Sequence, residues 1–317
     1  MWGYALKRTL VALILVWVVA TIVFSVLHLI PGDPAVLLSS SGGVLPPPEA
    51  VEALREKMGL NRPILEQYGS YLAGLLHGDL GRSFTDGYPI VEEIATRLPR
   101  TIELILAATL LALLIGMPLG TLAATHRGSW TDRLLSWMAG LQLSMPVFVI
   151  GTLLILLFAQ TLRWVPAGGY TPFGEDPVRH LIHLSMPAFT IAVGLSAVIF
   201  RMVRTTVIET LERDWVRTAR AKGLPRKEVL RRHVVRNALG PVVTVVGLHV
   251  GTLLGGTVLV EYVFNWPGLS GFLVNAVELR DYPAVQSIVL VISFLFIMIN
   301  LVVDLLYSVL DPRIRRT

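Results

Sequence analysis

The chain has 317 residues, of which 54% are hydrophobic and 15% are charged, and its mean hydropathy is +0.66. This composition excludes an ordinary soluble domain of the same length and indicates a polytopic membrane protein. The absence of cysteine excludes disulfide bonds and thiolate metal sites.

Six apolar segments are each long enough to cross about 30 Å of hydrocarbon as a helix. The first follows Lys7 and Arg8, is longer than the apolar core of a signal peptide and is not followed by a small-residue cleavage site. We therefore interpret it as an uncleaved helix and predict an all-α polytopic membrane protein with six transmembrane helices. The six segments lie near residues 9–30, 101–124, 134–160, 184–204, 241–263 and 287–309.

The charge distribution predicts the orientation of these spans. Six spans place both termini on one side, and most of the 27 lysines and arginines lie on that side. Positive charge close to the ends of spans marks the cytoplasmic side, so both termini and the loop at about 205–240 are predicted to be cytoplasmic. Topology then accounts for the net charge of +5 without a nucleic-acid partner, and the basic loop also predicts attraction to membrane lipid.

The segment at about 31–99, between the first two spans, predicts a small helical cap on the outer face. Helical patterns cover Glu49–Met58, with Gly59 as the stop, then Ile64 to about Leu76, and Ile90–Leu98. The cap is too short to be an independent catalytic domain.

Aromatic residues are prominent in two further outer loops, at about 161–183 and 264–286. We interpret them mainly as an interfacial belt, although an outer receptor could dock on the same surface. These residues are Trp164, Tyr170, Phe173, Trp266 and Tyr282.

The fifth span carries glycines at four-residue spacing, at Gly247, Gly251 and Gly255. Small residues at this spacing allow two helices to approach closely, so the stripe predicts either packing within the chain or a contact with another subunit beside a pathway. His249 and Thr252 on the same span could line a polar path, while a histidine that packs within the chain fits at least as well. These five residues are our candidates for helix packing or for the pathway.

The sequence lacks the usual signatures of an energy source or a hydrolase. No G-x-x-x-x-G-K-[ST], H-E-x-x-H or G-x-S-x-G motif occurs. Ionisable residues are scarce deep in the spans, where ion-coupled carriers usually need them. His180 and His183 could share a helix face, but no further ligands accompany them, so we predict no metal site and no catalytic residue.

The basic loop between the fourth and fifth spans carries the most informative pattern. From Asp214 it predicts a short helix that ends at Gly223 and restarts at Pro225. Glycine allows an elbow there at little steric cost. A short helix presented in this way outside the bilayer is suited to a socket on another protein.

This loop resembles the cytoplasmic loop of type I ABC-importer permeases, whose motif is E-A-A-x-x-x-G. With Gly223 at the motif glycine, Arg217, Thr218 and Ala219 occupy the E-A-A positions. The sequence R-T-A-R-A-K-G-L departs from the general motif and is similar to the dipeptide/oligopeptide (peptide/nickel) branch. The downstream I-x-L-P motif is altered, so roles are carried over only for Arg217–Leu224.

Further segments along nearly the whole chain resemble the same branch. They are P-G-D-P from Pro31, R-L-P-R-T-I-E-L from Arg97, W-P-G-L from Trp266, R-D-Y-P from Arg280 and D-P-R from Asp311.

The resemblance implies a permease subunit that forms half of a translocation pathway for di- or oligopeptides. Alternatives are a nickel-chelate or glutathione permease of the same family, a stand-alone secondary transporter, or a membrane receptor that transports nothing. The implied partners are a second homologous permease chain near the glycine stripe, two cytoplasmic ATP-binding subunits and an extracytoplasmic substrate-binding protein. No cofactor is expected in this chain, because ATP and magnesium would bind the partner subunits.

The resemblance also implies a bacterial or archaeal plasma membrane location and assigns roles to particular segments. Trp266–Leu269 and the outer cap are expected to contact the binding protein. The expected divisions are residues 1–96 for the first helix and the outer segment, 97–310 for the importer transmembrane domain, and 311–317 for a cytoplasmic tail. The residues expected to couple to the ATPase are Asp214, Arg217, Thr218, Ala219, Arg220, Lys222, Gly223 and Leu224.

Overall fold

The structure is a computed structural model that describes residues 2–29, 35–36, 47–57 and 60–310. Within these residues the chain is all-helical apart from loops and one isolated bridge between Arg82 and Pro89. The helices are α1 (Trp2–Leu29), α2 (Pro48–Lys57), α3 (Ile64–Leu76), α4 (Ile90–Thr125), α5 (Trp130–Ser144), α6 (Val147–Thr161), α7 (Pro177–Leu211), α8 (Asp214–Ala221), α9 (Arg226–Gly256), α10 (Val258–Val263), α11 (Leu269–Glu278) and α12 (Tyr282–Leu310).

Five of these helices, α1, α4, α7, α9 and α12, are long and apolar enough to cross a membrane. The third predicted span, 134–160, is instead the pair α5 and α6, which are bent by 102° relative to each other. The helix breaks because Met145 is extended, with ψ at 130°, and Pro146 has no N–H to continue the ladder. The pair makes a sixth span when it is counted as one, and the predicted all-α membrane fold is confirmed.

Several element boundaries differ from the sequence prediction. The helix predicted over Ile90–Leu98 and the second span are one helix, α4, which continues through Pro99 and Pro118. Packing outweighs the lost hydrogen bonds, because α4 is buried at many positions on both sides of Pro99. The fifth predicted span breaks at Thr257, and α10 follows. The predicted α3 is confirmed at Ile64–Leu76, whereas the predicted stop at Gly59 lies outside the described residues.

The centre of the bundle is the crossing of α4 and α7, which make the most extensive helix contact among the described residues. A Cβ atom on Gly116 would lie 2.7 Å from the carbonyl oxygen of Ser196, and one on Gly120 would lie 2.8 Å from that of Phe200. Only glycine allows two backbones to approach so closely. Helix α7 is consequently the most buried of the five spans.

Helices α1 and α12 form the flank of the bundle. They pack along each other, and Arg8 Nη1 lies 2.9 Å from Asp304 Oδ2. Near the other end of α1, the Thr21 and Tyr68 hydroxyls are 2.7 Å apart, which ties α3 of the outer segment to the span. The flank therefore connects the outer cap to the transmembrane bundle.

Candidate coupling surface and translocation face

Helix α8 has one anchored face and one open face. The Val216 side chain is fully buried and joins a hydrophobic cluster that includes Val207 of α7 and Val229 of α9. Ala219 and Leu224 pack against the same cluster. The remaining predicted coupling residues are exposed, namely Asp214, Arg217, Thr218, Arg220, Lys222 and Gly223. The helix is thus fastened to the bundle from beneath and presents polar groups outward.

The elbow after α8 has the conformation that glycine favours. Gly223 has φ at +80°, and a Cβ there would meet no atom within 4 Å, so the requirement for glycine is conformational and not steric. The Gly223 N–H donates to the carbonyl of Arg220 at 3.0 Å, and the Leu224 N–H donates to that of Ala219 at 3.3 Å. These bonds satisfy carbonyls at the helix end, and Pro225 then begins α9.

The turn between α4 and α5 lies beside this loop. Arg226 donates to the carbonyl oxygen of Thr125 at 3.4 Å, and Arg127 lies 2.7 Å from Glu212 just before α8. Deeper in the turn, Arg204 of α7 donates two hydrogen bonds to Asp132, at 2.6 and 2.9 Å. The α4–α5 turn is therefore linked by side chains to the end of α7 and the start of α9, which flank α8.

The start of α9 continues the basic surface. It is π-helical over Val229–Val235, and four exposed cations line an open groove of about 630 Å³ together with Pro225 and Glu228. Among the described residues, only one of the four forms an ion pair: Arg232 Nη1 lies 3.5 Å from Glu228 Oε1. Such a surface attracts acidic partners. The four cations are Lys227, Arg231, Arg232 and Arg236.

The predicted glycine stripe on α9 has two environments. A Cβ on Gly247 would clash with the Val303 side chain, and one on Gly251 would lie 3.1 Å from Phe296, so these glycines pack against α12 of the same chain. By contrast, Gly255 is exposed and has no atom within 4 Å of a built Cβ. The stripe therefore serves packing within the chain at one end and is open at the other.

The open end of the stripe lies in a groove between α1, α9 and α12. The groove measures about 520 Å³ and is lined by Thr252, Gly251 and Gly255 with residues of the other two helices. His249 does not line it; its Nδ1 lies 3.0 Å from the carbonyl of Val245 in the preceding turn. This geometry favours the packing interpretation for His249 and leaves Thr252 and Ser293 as polar side chains at the groove.

In the loops that the sequence predicts to be outer, the interpretation of the aromatic residues needs correction. Trp266 is 2% exposed and donates from Nε1 to the carbonyl of Arg100 at 3.1 Å. Tyr170 packs edge-on against its ring at 5.0 Å. The belt interpretation is therefore wrong for Trp266, whereas Trp164 and Phe173 are exposed as a belt requires. Contact of the Trp266 and Leu269 side chains with a binding protein is also excluded, since both are buried in the chain itself.

A buried carboxylate holds three outer segments together. Glu261 Oε1 accepts from Thr101 at 2.7 Å, and Oε2 accepts from the Ser270 N–H at 2.9 Å. Thr101 in turn accepts from the Leu269 N–H at 2.8 Å. Sequence reasoning missed this network because its members are about 160 positions apart. The available signal was that R-L-P-R-T-I-E-L and W-P-G-L resemble the same family.

A second carboxylate fastens the outer segment to the start of α12. Asp281 accepts from the Ser83 hydroxyl at 2.5 Å and from the Phe84 N–H at 3.2 Å. Ser287 donates to the carbonyl of Leu80 at 2.7 Å. Asp281 of the R-D-Y-P segment thus links the segment before α4 to the start of α12 by hydrogen bonds.

His180 and His183 do not form a shared site. His180 is buried, with Nδ1 2.7 Å from the carbonyl of Thr171 and Nε2 2.7 Å from Glu103. The His183 ring instead lies against Gly169. Among the described residues, no group of three or more histidine, aspartate or glutamate side chains could hold a metal ion.

Comparison with known proteins identifies the family. Residues 116–316 match the model described as "Binding-protein-dependent transport system inner membrane component", and residues 1–105 match the model for the N-terminal part of such membrane components. The chain belongs to this family. It is a permease of the type I ABC importers, in the peptide/nickel branch.

The similar curated proteins cover almost the whole chain. The glutathione transport system permease protein GsiC of Escherichia coli O6:H1 is 40% identical over 315 residues, which are 99% of each chain. A putative peptide transport system permease protein of Brucella abortus is 41% identical over 310 residues, which are 98% of each chain.

Solved structures show the same fold at low sequence identity. An inward-facing MetNI methionine ABC transporter matches with a TM-score of 0.59 and 17% identity, covering 70% of this chain and 98% of that one. An amino acid ABC transporter crystallised with histidines matches with a TM-score of 0.53 and 14% identity, covering 68% and 94%. The family and the curated relatives, together with the apolar helices, make the chain a multi-pass membrane permease subunit of an ATP-driven importer.

Proposed function

We propose that α8 is the segment through which this permease couples to cytoplasmic ATPase subunits. The observation that carries the proposal is its two-faced packing, with Val216 fully buried beneath and Arg217, Thr218 and Arg220 exposed above. A helix anchored on one face through Val216 and Ala219 and open on the other can transmit a push from a docked partner into the bundle. The contacts of Arg226 with Thr125 supply a route for that push into α4.

The same proposal places the coupling residues in two roles. Ala219, Gly223 and Leu224 shape and support the elbow, while Asp214, Arg217, Thr218, Arg220 and Lys222 form the docking face. ATP and magnesium would bind the ATPase subunits, because this sequence contains no phosphate-binding loop. The docking end would be cytoplasmic, together with both termini, in a bacterial or archaeal plasma membrane.

The partner assembly would contain a second homologous permease, two ATP-binding subunits and an extracytoplasmic binding protein. A single chain with five or six spans encloses only half of a pathway. The open groove at Thr252 and Gly255 supports a contact with the second permease there, since small residues permit close helix approach. Residues 1–96 would then supply the flank and the outer cap, residues 97–310 the importer domain, and residues 311–317 the tail.

The proposed cargo is a di- or oligopeptide, and glutathione is the second candidate because it is itself a small peptide. Both are supported by relatives named as peptide and glutathione transport permeases at 40–41% identity. A nickel chelate remains the alternative within the branch, and a stand-alone secondary transporter is disfavoured by the family.

Purification of the complex from native membranes, followed by reconstitution, tests this function. We expect ATP-binding subunits and a second permease to co-purify in mild detergent, and the proteoliposomes to accumulate labelled dipeptide or glutathione only with ATP and the binding protein. Recovery of this chain alone from an intact preparation, or uptake driven by an ion gradient without ATP, would contradict the proposal.

A further inference from the structure

Arg201 is an unpaired cation on the most buried spanning helix. It is exposed on α7, and it forms no ion pair or hydrogen bond with any residue that the structure describes. Its neighbour Arg204 is the natural comparison, because that side chain is held by two hydrogen bonds to Asp132. A charged side chain within a spanning helix is costly unless it faces a partner or a water-filled path.

The Arg201 side chain lies beside α5 and leans away from the α8 end of α7. Its Nη2 lies 3.9 Å from the position of a Cβ on Gly140 of α5. Gly140 is about 12 Å further along α5 than Asp132, the partner of Arg204, at 1.5 Å per residue. Side chains on a helix lean toward its N-terminus, which for α7 is the end opposite α8. The guanidinium is therefore directed away from the headgroups at the coupling side.

Arg201 also belongs to an open stripe on α7. Gly194, Val198 and Thr205 share this face at helical spacing, none of them is buried, and a Cβ on Gly194 would meet no atom within 4 Å. The opposite face, which includes Ile199 and Val203, is buried against the rest of the bundle. Between Gly194 and Thr205, the exposed residues of α7 thus lie on this stripe, and it carries the free guanidinium.

We infer that Arg201 is a binding residue for a carboxylate of the cargo as it passes through the pathway. A guanidinium offers paired N–H donors that match the two oxygens of a carboxylate. Peptides and glutathione both end in carboxylates, so this inference rests on the proposed function. The small Gly140 beside Nη2 leaves room for the cargo to approach.

The first test measures whether position 201 faces water. The chain contains no cysteine, so the thiol of an Arg201→Cys variant can be labelled specifically with a sulfonate-bearing, membrane-impermeant methanethiosulfonate reagent. The purified, nucleotide-free importer is used without its binding protein. We expect labelling well above that of Leu195→Cys, because Leu195 is 5% exposed on the same helix. Labelling no faster than at position 195 would overturn the inference, and this result does not depend on the cargo.

The second test measures carboxylate recognition by protection and by uptake. An excess of alanyl-alanine, or of glutathione if the wild type imports that, should slow labelling at position 201, whereas the C-terminal amide of the same peptide should not. In proteoliposomes, Arg201→Gln should lower uptake per ATP hydrolysed about tenfold, as expected for a lost charge-assisted contact. Arg201→Lys should restore much of it, and the exposed control Arg133→Gln should behave like wild type.

Two outcomes would contradict the inference while leaving the proposed function intact. One is wild-type uptake by Arg201→Gln. The other is loss of the second permease from the purified Arg201→Gln complex, which would mean that Arg201 pairs with an acidic group of that subunit. Failure of the wild-type complex to import any peptide would instead reject the proposed cargo, and the labelling comparison at position 201 would still stand.

Discussion

The two ends of this permease use their family-like segments in opposite ways. At the outer end, Thr101, Trp266 and Asp281 come from three such segments, and all are buried in contacts within the chain. At the other end, the R-T-A-R-A-K-G-L segment is exposed except where Ala219 and Leu224 touch the core. The outer segments hold the chain together, whereas the segment at α8 has an exposed face, on which the proposed docking depends.

The difference shows that a recognisable segment does not by itself mark a contact surface. The carboxylates of Glu261 and Asp281 accept hydrogen bonds that join separate elements of this chain. The side chains of Arg217, Arg220 and Lys222 make almost no contacts of this kind. Among segments that resemble the family, burial distinguishes those that hold the chain together from those that are accessible to a partner. Substitutions at the outer end should therefore cost folding stability, and substitutions at α8 should cost coupling.

The largest expected effect is on Trp266→Ala, which would empty a buried site between α4 and the outer loops. We expect a loss of about 3–5 kcal/mol in stability, the usual cost of truncating a buried tryptophan. The measurement is the thermal unfolding midpoint of the purified complex. Trp164→Ala is the control, since Trp164 is 69% exposed. Equal unfolding midpoints for the two variants would contradict a structural role for the outer segments.

Next in size is Glu261→Leu, which removes the acceptor for Thr101 and the Ser270 N–H. Each donor left without a partner costs about 1–3 kcal/mol. Adding Thr101→Val to this variant should cost less stability than the same substitution in wild type, because the Thr101 hydroxyl has already lost its acceptor and only its bond from the Leu269 N–H remains to be lost. Thermal unfolding of the single and double variants measures this coupling, and the exposed Glu278→Gln should match wild type. Additive losses from the two substitutions would argue against the network.

A smaller effect on stability, but a larger one on function, is expected from Gly223→Val. Forcing a branched side chain to φ near +80° costs about 1–3 kcal/mol locally. Membrane insertion should be unchanged, while ATPase stimulation by the loaded binding protein should fall. Gly223→Asn should retain more stimulation, because asparagine tolerates left-handed backbone. Equal stimulated ATPase rates in Gly223→Val and wild-type complexes would reject a role for the Gly223 elbow in coupling.

The smallest effect on stability is expected from Arg220→Glu on the open face of α8. Exposed substitutions usually change stability by less than about 0.5 kcal/mol, so the unfolding midpoint of the chain should not move. Stimulated ATPase activity should nevertheless drop, because the substitution reverses a charge on the docking face. Unchanged activity together with an unchanged midpoint would show that this face docks nothing.

Much of the fold could be predicted from the sequence because hydrophobic length and helix punctuation are local signals. They located α3 and the elbow at Gly223. Continuity of α4 through Pro99 could not be predicted, because it depends on packing with distant segments. The same holds for the burial of Trp266, which depends on Arg100, a residue 166 positions away.

The candidate site could likewise be predicted only where its sequence signals are local. The sequence identified α8 and its glycine, but the division of the α9 stripe into a packed end and an open end requires knowledge of where α12 lies. Arg201 and Arg204 both lie near the end of the predicted span 184–204, and residue type alone does not distinguish them. Only the position of Asp132 separates the paired Arg204 from its free neighbour.

The central claim is that α8 docks an ATPase while the outer family-like segments do not bind that partner. Because the chain has no cysteine, the rates of thiol labelling of Thr218→Cys and Phe173→Cys can be measured on the purified permease pair before and after the ATPase subunits are added. We predict strong protection at position 218 and none at position 173, which is exposed in the outer loop. Unchanged labelling at position 218 in a complex that hydrolyses ATP would contradict this account.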